Sequence, residues 1–107
     1  MTRHETFIYL FESTGWSGVR WEKLTGIPRQ TLSVWKNNDS SSIRPYVLIA
    51  MAAVSGKQIK WLNEEMTSCE VITSHFDRCF HLMTDKELIN FSYNEVKTFL
   101  KEIKTDE

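Results

Sequence analysis

Three polar residues on one short predicted helix have the clearest potential for chemistry. Leu32 and Trp35 lie three residues apart, so on a helix they share one face and would turn into a core. Arg29, Gln30 and Ser33 then point outward, with Val34 at the edge of the same surface. A guanidinium, an amide and a hydroxyl donate and accept hydrogen bonds. This surface is therefore suited to binding, and the competing interpretation is an ordinary solvated helix face.

Metal and catalytic chemistry are less well supported. Four potential ligands, Cys69, His75, Cys79 and His81, lack the closely paired cysteines of structural zinc sites. His75 and Cys79 share a helix face at this spacing, but a buried cysteine and a hydrogen-bonded histidine explain them more simply. The chain has no His-Glu-x-x-His motif, phosphate-cradling glycine loop or Gly-x-Ser-x-Gly motif. We therefore expect no metal, no cofactor and no enzymatic activity.

The elements that must position the polar face are predicted to be helices throughout. Apolar residues recur at spacings of three and four, and scarce glycines and prolines separate the segments, which favours an all-α chain. The predicted helices cover residues 5–12, 19–25, 28–37, 46–54 and 57–65. A helical extension follows, with a helix over 69–82 and a last one over 93–104. Thr84 and Ser92 each begin a capping-box pattern. The expected division is 1–66 and 67–107.

A turn centred on Gly26 joins the second and third predicted helices. Glycine tolerates the positive φ that a sharp turn between helices demands. Trp21, Ile27, Leu32 and Trp35 supply the apolar contacts that would hold the two helices together.

Charge is distributed unevenly along the chain. The 107 residues carry a formal net charge of −1, from 13 Lys and Arg against 14 Asp and Glu. Residues 18–60 hold seven basic and two acidic residues, whereas residues 67–107 hold five basic and eight acidic ones. A basic central segment is suited to a polyanionic partner, and the acidic tail would lie away from it.

Several classes of protein are disfavoured by the same sequence. The longest apolar run, residues 47–54, is far shorter than the ~20 residues that span a bilayer. The first residues show no secretory signal, and two cysteines do not form a disulfide framework. The expectation is a cytoplasmic protein that does not enter the membrane.

Several motifs resemble the Cro and phage-repressor (lambda-repressor-like) helix-turn-helix family. They lie within residues 5–65 and comprise Leu24–Ile27, Arg29–Ser33, Trp35–Asn37, Arg44–Pro45, Leu48–Ala50, Val54–Gly56 and Trp61–Leu62. The resemblance implies a five-helix DNA-binding domain over residues 1–66, followed by the helical extension.

The resemblance also implies roles for the polar residues. In such proteins the second helix of the motif places its N-terminal residues against base edges in the major groove of double-stranded DNA. Arg29, Gln30, Ser33 and Val34 would then read bases, since arginine pairs bidentately with guanine, glutamine does so with adenine, and an apolar group contacts the thymine methyl. The residues expected at phosphates are Ser17, Arg20, Lys23, Thr31, Lys36, Asn37, Asn38 and Arg44.

Two departures from the family pattern are evident. Glu22 occupies a position where the family commonly has alanine, so the angle between the two helices or the direction of this side chain would differ. The loop from Asn38 to Ile43 lacks the family's usual glycine and basic residue.

The last predicted helix carries an apolar stripe of Tyr93, Val96, Phe99, Leu100 and Ile103. This stripe either forms a homodimer interface or covers the core of its own subunit. Helix-turn-helix proteins commonly bind two half-sites as symmetric dimers, which favours the homodimer.

The function predicted is a sequence-specific transcriptional regulator. The expected kind is a repressor of phage or mobile-element type that binds an inverted-repeat operator as a dimer. The alternative is a protein-interaction module on the same scaffold: an antirepressor, an antitoxin-like partner or a subunit of a complex. Trp16, in a predicted loop, would suit a protein partner.

Overall fold

A computed structural model of the protein describes residues 1–38, 43–73 and 82–105, with the backbone alone for 103–105. The elements within these residues are helices α1 (Arg3–Ser13), α2 (Gly18–Thr25), α3 (Arg29–Asn37) and α4 (Pro45–Val54), strands β1 (Lys57–Trp61) and β2 (Cys69–Thr73), and helix α5 (Asp85–Thr105).

The first four predicted helices are confirmed, and local chemistry explains their ends. Thr2 and Glu5 form a reciprocal capping box at the start of α1, and this hydrogen bonding lowers the pKa of Glu5. The hydroxyl of Ser17 caps α2, and Gly26 ends that helix with a φ of 77°. Pro45 lies in the first turn of α4, where a missing N–H removes no helical hydrogen bond.

The fifth helix predicted over 57–65 is wrong, and so is the start of the helix predicted over 69–82. The chain instead forms an antiparallel hairpin that pairs Lys57 with Thr73 at one end and Trp61 with Cys69 at the other. Ile59 and Trp61 are partly buried while Gln58 and Lys60 are exposed, the alternation of a strand. Residues 74–81, which include His75, Cys79 and His81, lie outside the described residues. The predicted helical character is therefore confirmed for most of the described chain, but these residues also form a small two-stranded sheet that an all-α fold would lack.

One long helix replaces the separate terminal helices of the prediction. The capping box at Thr84 is confirmed, with reciprocal hydrogen bonds between Thr84 and Glu87. Ser92 caps nothing, because it is buried within α5 and its hydroxyl donates to the carbonyl of Ala50 at 3.2 Å. The helix therefore continues through this position and is bonded to α4 there.

The core lies where α1 and α2 meet α4, with α3 packed against α1 and α2, and α5 closes it by packing along α4. Its buried residues are Phe7, Leu10, Trp21, Leu24, Leu32, Ile43, Val47, Leu48, Met51, Ala52, Val54 and Leu88. No helix in the described part of the chain contains a stretch long and apolar enough to span a bilayer.

The beginning of α1 is held by residues distant in the sequence. Thr2 forms a bridge with Ser68, next to β2. The guanidinium of Arg3 donates to the carbonyls of Met66 at 2.6 Å and Ile43 at 2.9 Å. These contacts tie α1 to the hairpin and to the segment that precedes α4.

Candidate nucleic-acid interface

Helix α3 is held to the core along one side only. Leu32 is its one fully buried residue, with 1% of its surface exposed. The Trp35 ring meets Phe7 edge-on with 5.7 Å between ring centres, and His4 Nε2 donates to the Trp35 carbonyl at 2.7 Å. The inward orientation of Leu32 predicted from the sequence is confirmed.

The opposite side of α3 carries the four residues predicted to read bases. Arg29, Gln30, Ser33 and Val34 are all exposed, Val34 to 56%. On a helix their positions form one continuous face of two turns. Asn37 lies on the same face, and its amide donates to the Ser33 carbonyl at 3.0 Å, which extends the hydrogen bonding at the end of the helix.

The junction between α2 and α3 is close and bonded. A carboxylate oxygen of Glu22 accepts from the backbone N–H of Arg29 at 2.8 Å. Pro28, at the N-cap of α3, makes no side-chain cap hydrogen bond, so Glu22 supplies an acceptor that the local sequence lacks. Gly18 also lies against α3, since a Cβ added to it would be 3.6 Å from the Cβ of Arg29. The N-termini of the two helices therefore lie side by side.

Some residues predicted to bind phosphate surround this face. Ser17 is at the N-cap of α2, where its hydroxyl accepts from the Arg20 N–H at 3.3 Å. Thr31 and Lys36 flank the exposed face, and the Lys36 ammonium lies 5.5 Å from the centre of the Phe11 ring. Asn38 and Arg44 are exposed at the end of α3 and before α4.

Arg20 and Lys23 are directed elsewhere. Both form ion pairs with Asp85 of α5, at 3.4 Å and 3.0 Å. The hydrogen bond from Lys23 and the nearby charge of Arg20 lower the pKa of the Asp85 carboxyl. Helix positions place these two basic residues away from Gly18 and Glu22, the part of α2 that faces α3.

Trp16 is packed rather than free. It is partly buried, its ring centre lies 4.9 Å from that of Trp21, and the Arg20 guanidinium sits 4.7 Å above it. This arrangement makes it part of the fold around α2 instead of the protruding anchor that its loop position suggested.

The apolar stripe predicted for dimerisation is divided between two surfaces. Phe99 packs inward, edge-on to Trp61 at 6.4 Å. Tyr93 and Leu100 are 66% and 43% exposed, and Val96 lies beside them half-buried. The side chain of Ile103 lies outside the described residues. Tyr93 and Val96 also line a cavity of about 340 Å³ between the turn at Gly26, α4 and α5.

The sequence does not predict the contacts that two residues of this region make. Glu22 bridges the turn to the start of α3, and Asp85 reaches from the acidic tail to α2. No local motif indicates either contact, because one spans the turn and the other joins elements sixty residues apart. His75, Cys79 and His81, three of the four potential metal ligands, lie outside the described residues. Among the described residues, no cluster of three or more His, Cys, Asp or Glu could hold a metal ion.

Comparison with known proteins gives no family assignment. The chain has no significant match to any protein-family model, curated protein or solved structure.

Proposed function

We propose that the protein is a sequence-specific double-stranded DNA-binding regulator that inserts α3 into the major groove. The observation that supports this most is the division of α3 into a buried side, Leu32 and Trp35, and an exposed face of four residues beginning at the helix N-terminus. The close approach of α2 at Gly18 and Glu22 adds to it. This pair of helices lies within residues 5–65, the part of the chain that resembles the lambda-repressor-like family.

The chemistry of the exposed face is suited to base edges. Arg29 can donate two hydrogen bonds to guanine O6 and N7, and Gln30 can pair with adenine N6 and N7. Ser33 can donate to a base or a phosphate, and the exposed methyls of Val34 can contact a thymine methyl. All four lie in the first two turns of α3, the part of a recognition helix that enters the groove.

Phosphate contacts are assigned to residues around that face. Ser17, Thr31, Lys36, Asn37, Asn38 and Arg44 are retained in the proposed interface. Arg20 and Lys23 are left out of it, because each would have to give up its ion pair with Asp85 to reach a phosphate. Phosphate contacts set position but carry no sequence information, so specificity rests on Arg29 and Gln30.

We further propose that the protein acts in the cytoplasm as a repressor of phage or mobile-element type. Repression is favoured because occupying an operator is the simplest regulatory act of a DNA-binding domain. It would bind an inverted repeat as a homodimer. The exposed side chains of Tyr93 and Leu100, with Val96 beside them, support a dimer contact on α5. Phe99 is excluded from that contact, because it packs against Trp61.

Selection from a random duplex pool, followed by binding measurements from about 50 to 200 mM KCl, tests the DNA-binding proposal. The selected duplex should bind roughly a thousandfold or more tighter than an unrelated duplex of equal length. Arg29→Ala should relax the preference at one base pair, whereas Lys36→Ala should weaken binding to all duplexes alike. Lys101→Ala, on α5, is the matched control. Equal, weak binding to every duplex would refute the proposal.

Light scattering and half-site spacing test the dimer. Tyr93→Asp should dissociate it, and the neighbouring exposed Asn94→Asp, which introduces the same charge, should not. The selected duplex should contain an inverted repeat with half-sites about 34 Å apart. A wild-type monomer bound to a single asymmetric site would refute the dimer while leaving DNA binding intact.

A protein-interaction module is the second candidate function. The exposed side chains of Tyr93 and Leu100 also favour it, because with Val96 between them they form one apolar patch along α5, and contiguous apolar patches mark interaction sites. Purification of the protein with a stoichiometric protein partner, together with the absence of any preferred duplex, would decide for this function.

A further inference from the structure

Glu22 places a negative charge at the N-terminus of α3. Its carboxylate accepts from the N–H of Arg29, the first residue of α3, at 2.8 Å. The N-terminus of a helix carries a partial positive charge and unpaired N–H groups, which together bind phosphate well. In this chain an internal carboxylate already occupies that position.

The surrounding contacts hold the carboxylate there. Glu22 is half-buried on the side of α2 that faces α3, one helical turn after Gly18, which lies against Arg29. Pro28 has no N–H and no capping hydrogen bond, so the Arg29 N–H has no acceptor from its own N-cap. Gly26, with its φ of 77°, sets the turn that brings Glu22 and Arg29 together across seven residues.

We infer that Glu22 is a specificity-determining residue that excludes phosphate from the N-terminus of α3. This inference rests on the proposed DNA-binding function. The Glu22 carboxylate accepts from the Arg29 N–H and neutralises the positive end of α3. The helix therefore gains little from contact with a phosphate, whatever the DNA sequence. Arg29 is then left to bind through its guanidinium, which can distinguish guanine from other bases. Glu22 therefore weakens binding to unrelated DNA, which is held through phosphates, more than binding to the preferred site, where the Arg29 guanidinium contacts a base, and this difference increases the ratio of specific to non-specific affinity.

Electrostatics gives the size of the effect. A carboxylate some 6 Å from a phosphate repels it enough, in a solvent-exposed setting, to change affinity about three- to tenfold per site at low salt. Screening reduces the effect as ionic strength rises, because the Debye length falls to about 8 Å at 0.15 M. The gain on removing the charge should therefore be greatest for unrelated DNA at low salt.

Two substitutions separate charge from hydrogen bonding. Glu22→Gln keeps an oxygen acceptor for the Arg29 N–H and removes the charge, whereas Glu22→Ala removes both. The matched control is Glu95→Gln, which removes the same charge from an exposed position on α5 beside the cleft against β1. All variants are titrated with the duplex selected by the wild-type protein and with an unrelated duplex, across the same salt series.

The expected result is a three- to tenfold gain for Glu22→Gln on the unrelated duplex at low salt. The gain on the selected duplex is expected to be smaller, so the specificity ratio falls. Glu22→Ala should show the same loss of specificity and a faster hydrogen exchange of the Arg29 amide by NMR, which needs no DNA.

Two results would overturn the inference while leaving the proposed function standing. One is a wild-type preference for the selected duplex with Glu22→Gln indistinguishable from Glu95→Gln. The other is a loss of selected-duplex affinity in Glu22→Gln with a changed base preference, which would make Glu22 a direct base contact. A wild-type protein with no preferred duplex would overturn the proposed function itself, and the inference with it.

Discussion

The orientation of α3 can be tested by truncating one residue on each of its sides. Leu32 is 1% exposed and Val34, two residues later, is 56% exposed. Leu32→Ala removes roughly three buried methylene equivalents, each worth about 0.8 kcal/mol. The cavity left beneath α3 adds to this, so the expected loss of unfolding free energy is about 3 kcal/mol, within the range of roughly 2–5 kcal/mol for such changes.

The loss should be visible in any unfolding measurement. For a domain of this size, 3 kcal/mol lowers the melting temperature by roughly 12–24 °C. Val34→Ala should change the free energy of unfolding by less than about 0.5 kcal/mol, since surface substitutions rarely cost more. Urea titrations followed by tryptophan fluorescence and by circular dichroism measure both variants against the wild type.

The effects of the two variants on base preference should be the reverse of their effects on stability. At a temperature where Leu32→Ala is folded, its base preference should match that of the wild type, whereas Val34→Ala should lose preference at one base pair. Equal destabilisation by the two changes would refute the assignment of buried and exposed sides of α3, and with it the proposed recognition face.

Three further predictions concern the contacts that hold this region in place. The pKa of Asp85 is lowered from its ordinary 3.8, so the ionised carboxylate stabilises the folded state above that value. This stability is lost as the pH falls below 3.8 and through the lower folded pKa, and Asp85→Asn should remove that part of the acid transition, as measured by urea titrations from about pH 5 down to about pH 2. An unchanged acid transition in Asp85→Asn would contradict the ion pairs. Gly26→Ala should lower the free energy of unfolding by about 1–2 kcal/mol because of its φ of 77° alone, since no atom lies within 4 Å of the added Cβ. Gly18→Ala should lower it little, and similar thermal stabilities for the two variants would show that the turn is not constrained. Ser92→Ala should cost about 1 kcal/mol by removing the hydrogen bond to Ala50, measured by thermal unfolding, and a cost below about 0.3 kcal/mol would mean that the bond contributes nothing.

The helices of the first half could be predicted because their signals are local. Ser17, Gly26 and Pro45 mark helix ends through hydrogen bonding and φ preferences that act within a few residues. The division of α3 into a buried and an exposed side follows from the spacing of Leu32 and Trp35. These features need no knowledge of the rest of the chain.

The hairpin could not be predicted in the same way. Residues 57–61 are too few to distinguish a two-residue period from a helical one, and neither strand is stable without its partner eight residues away. The spacing of Ser92 and Glu95 predicts a cap, but the hydroxyl of Ser92 donates instead to the Ala50 carbonyl on another helix. In each case a contact between distant segments determines the conformation.

The candidate site shows the same limit. The residues of its exposed face share one helix, so their proximity followed from the sequence. Glu22 and Asp85 act across elements, and only the packing of α2 against α3 and α5 gives them their partners.

The anchoring of α1 has a consequence for the order in which the protein is completed during synthesis. Arg3 donates to the carbonyl of Met66, and Thr2 pairs with Ser68. A ribosome adding 5–20 residues per second makes the second partner of each pair roughly 3 to 13 s after the first. Helices α1 to α4 are therefore made before the segment that fixes the start of α1 exists. During that interval α1 can already pack against α3 and α4, and only its first turn awaits the contacts that hold it.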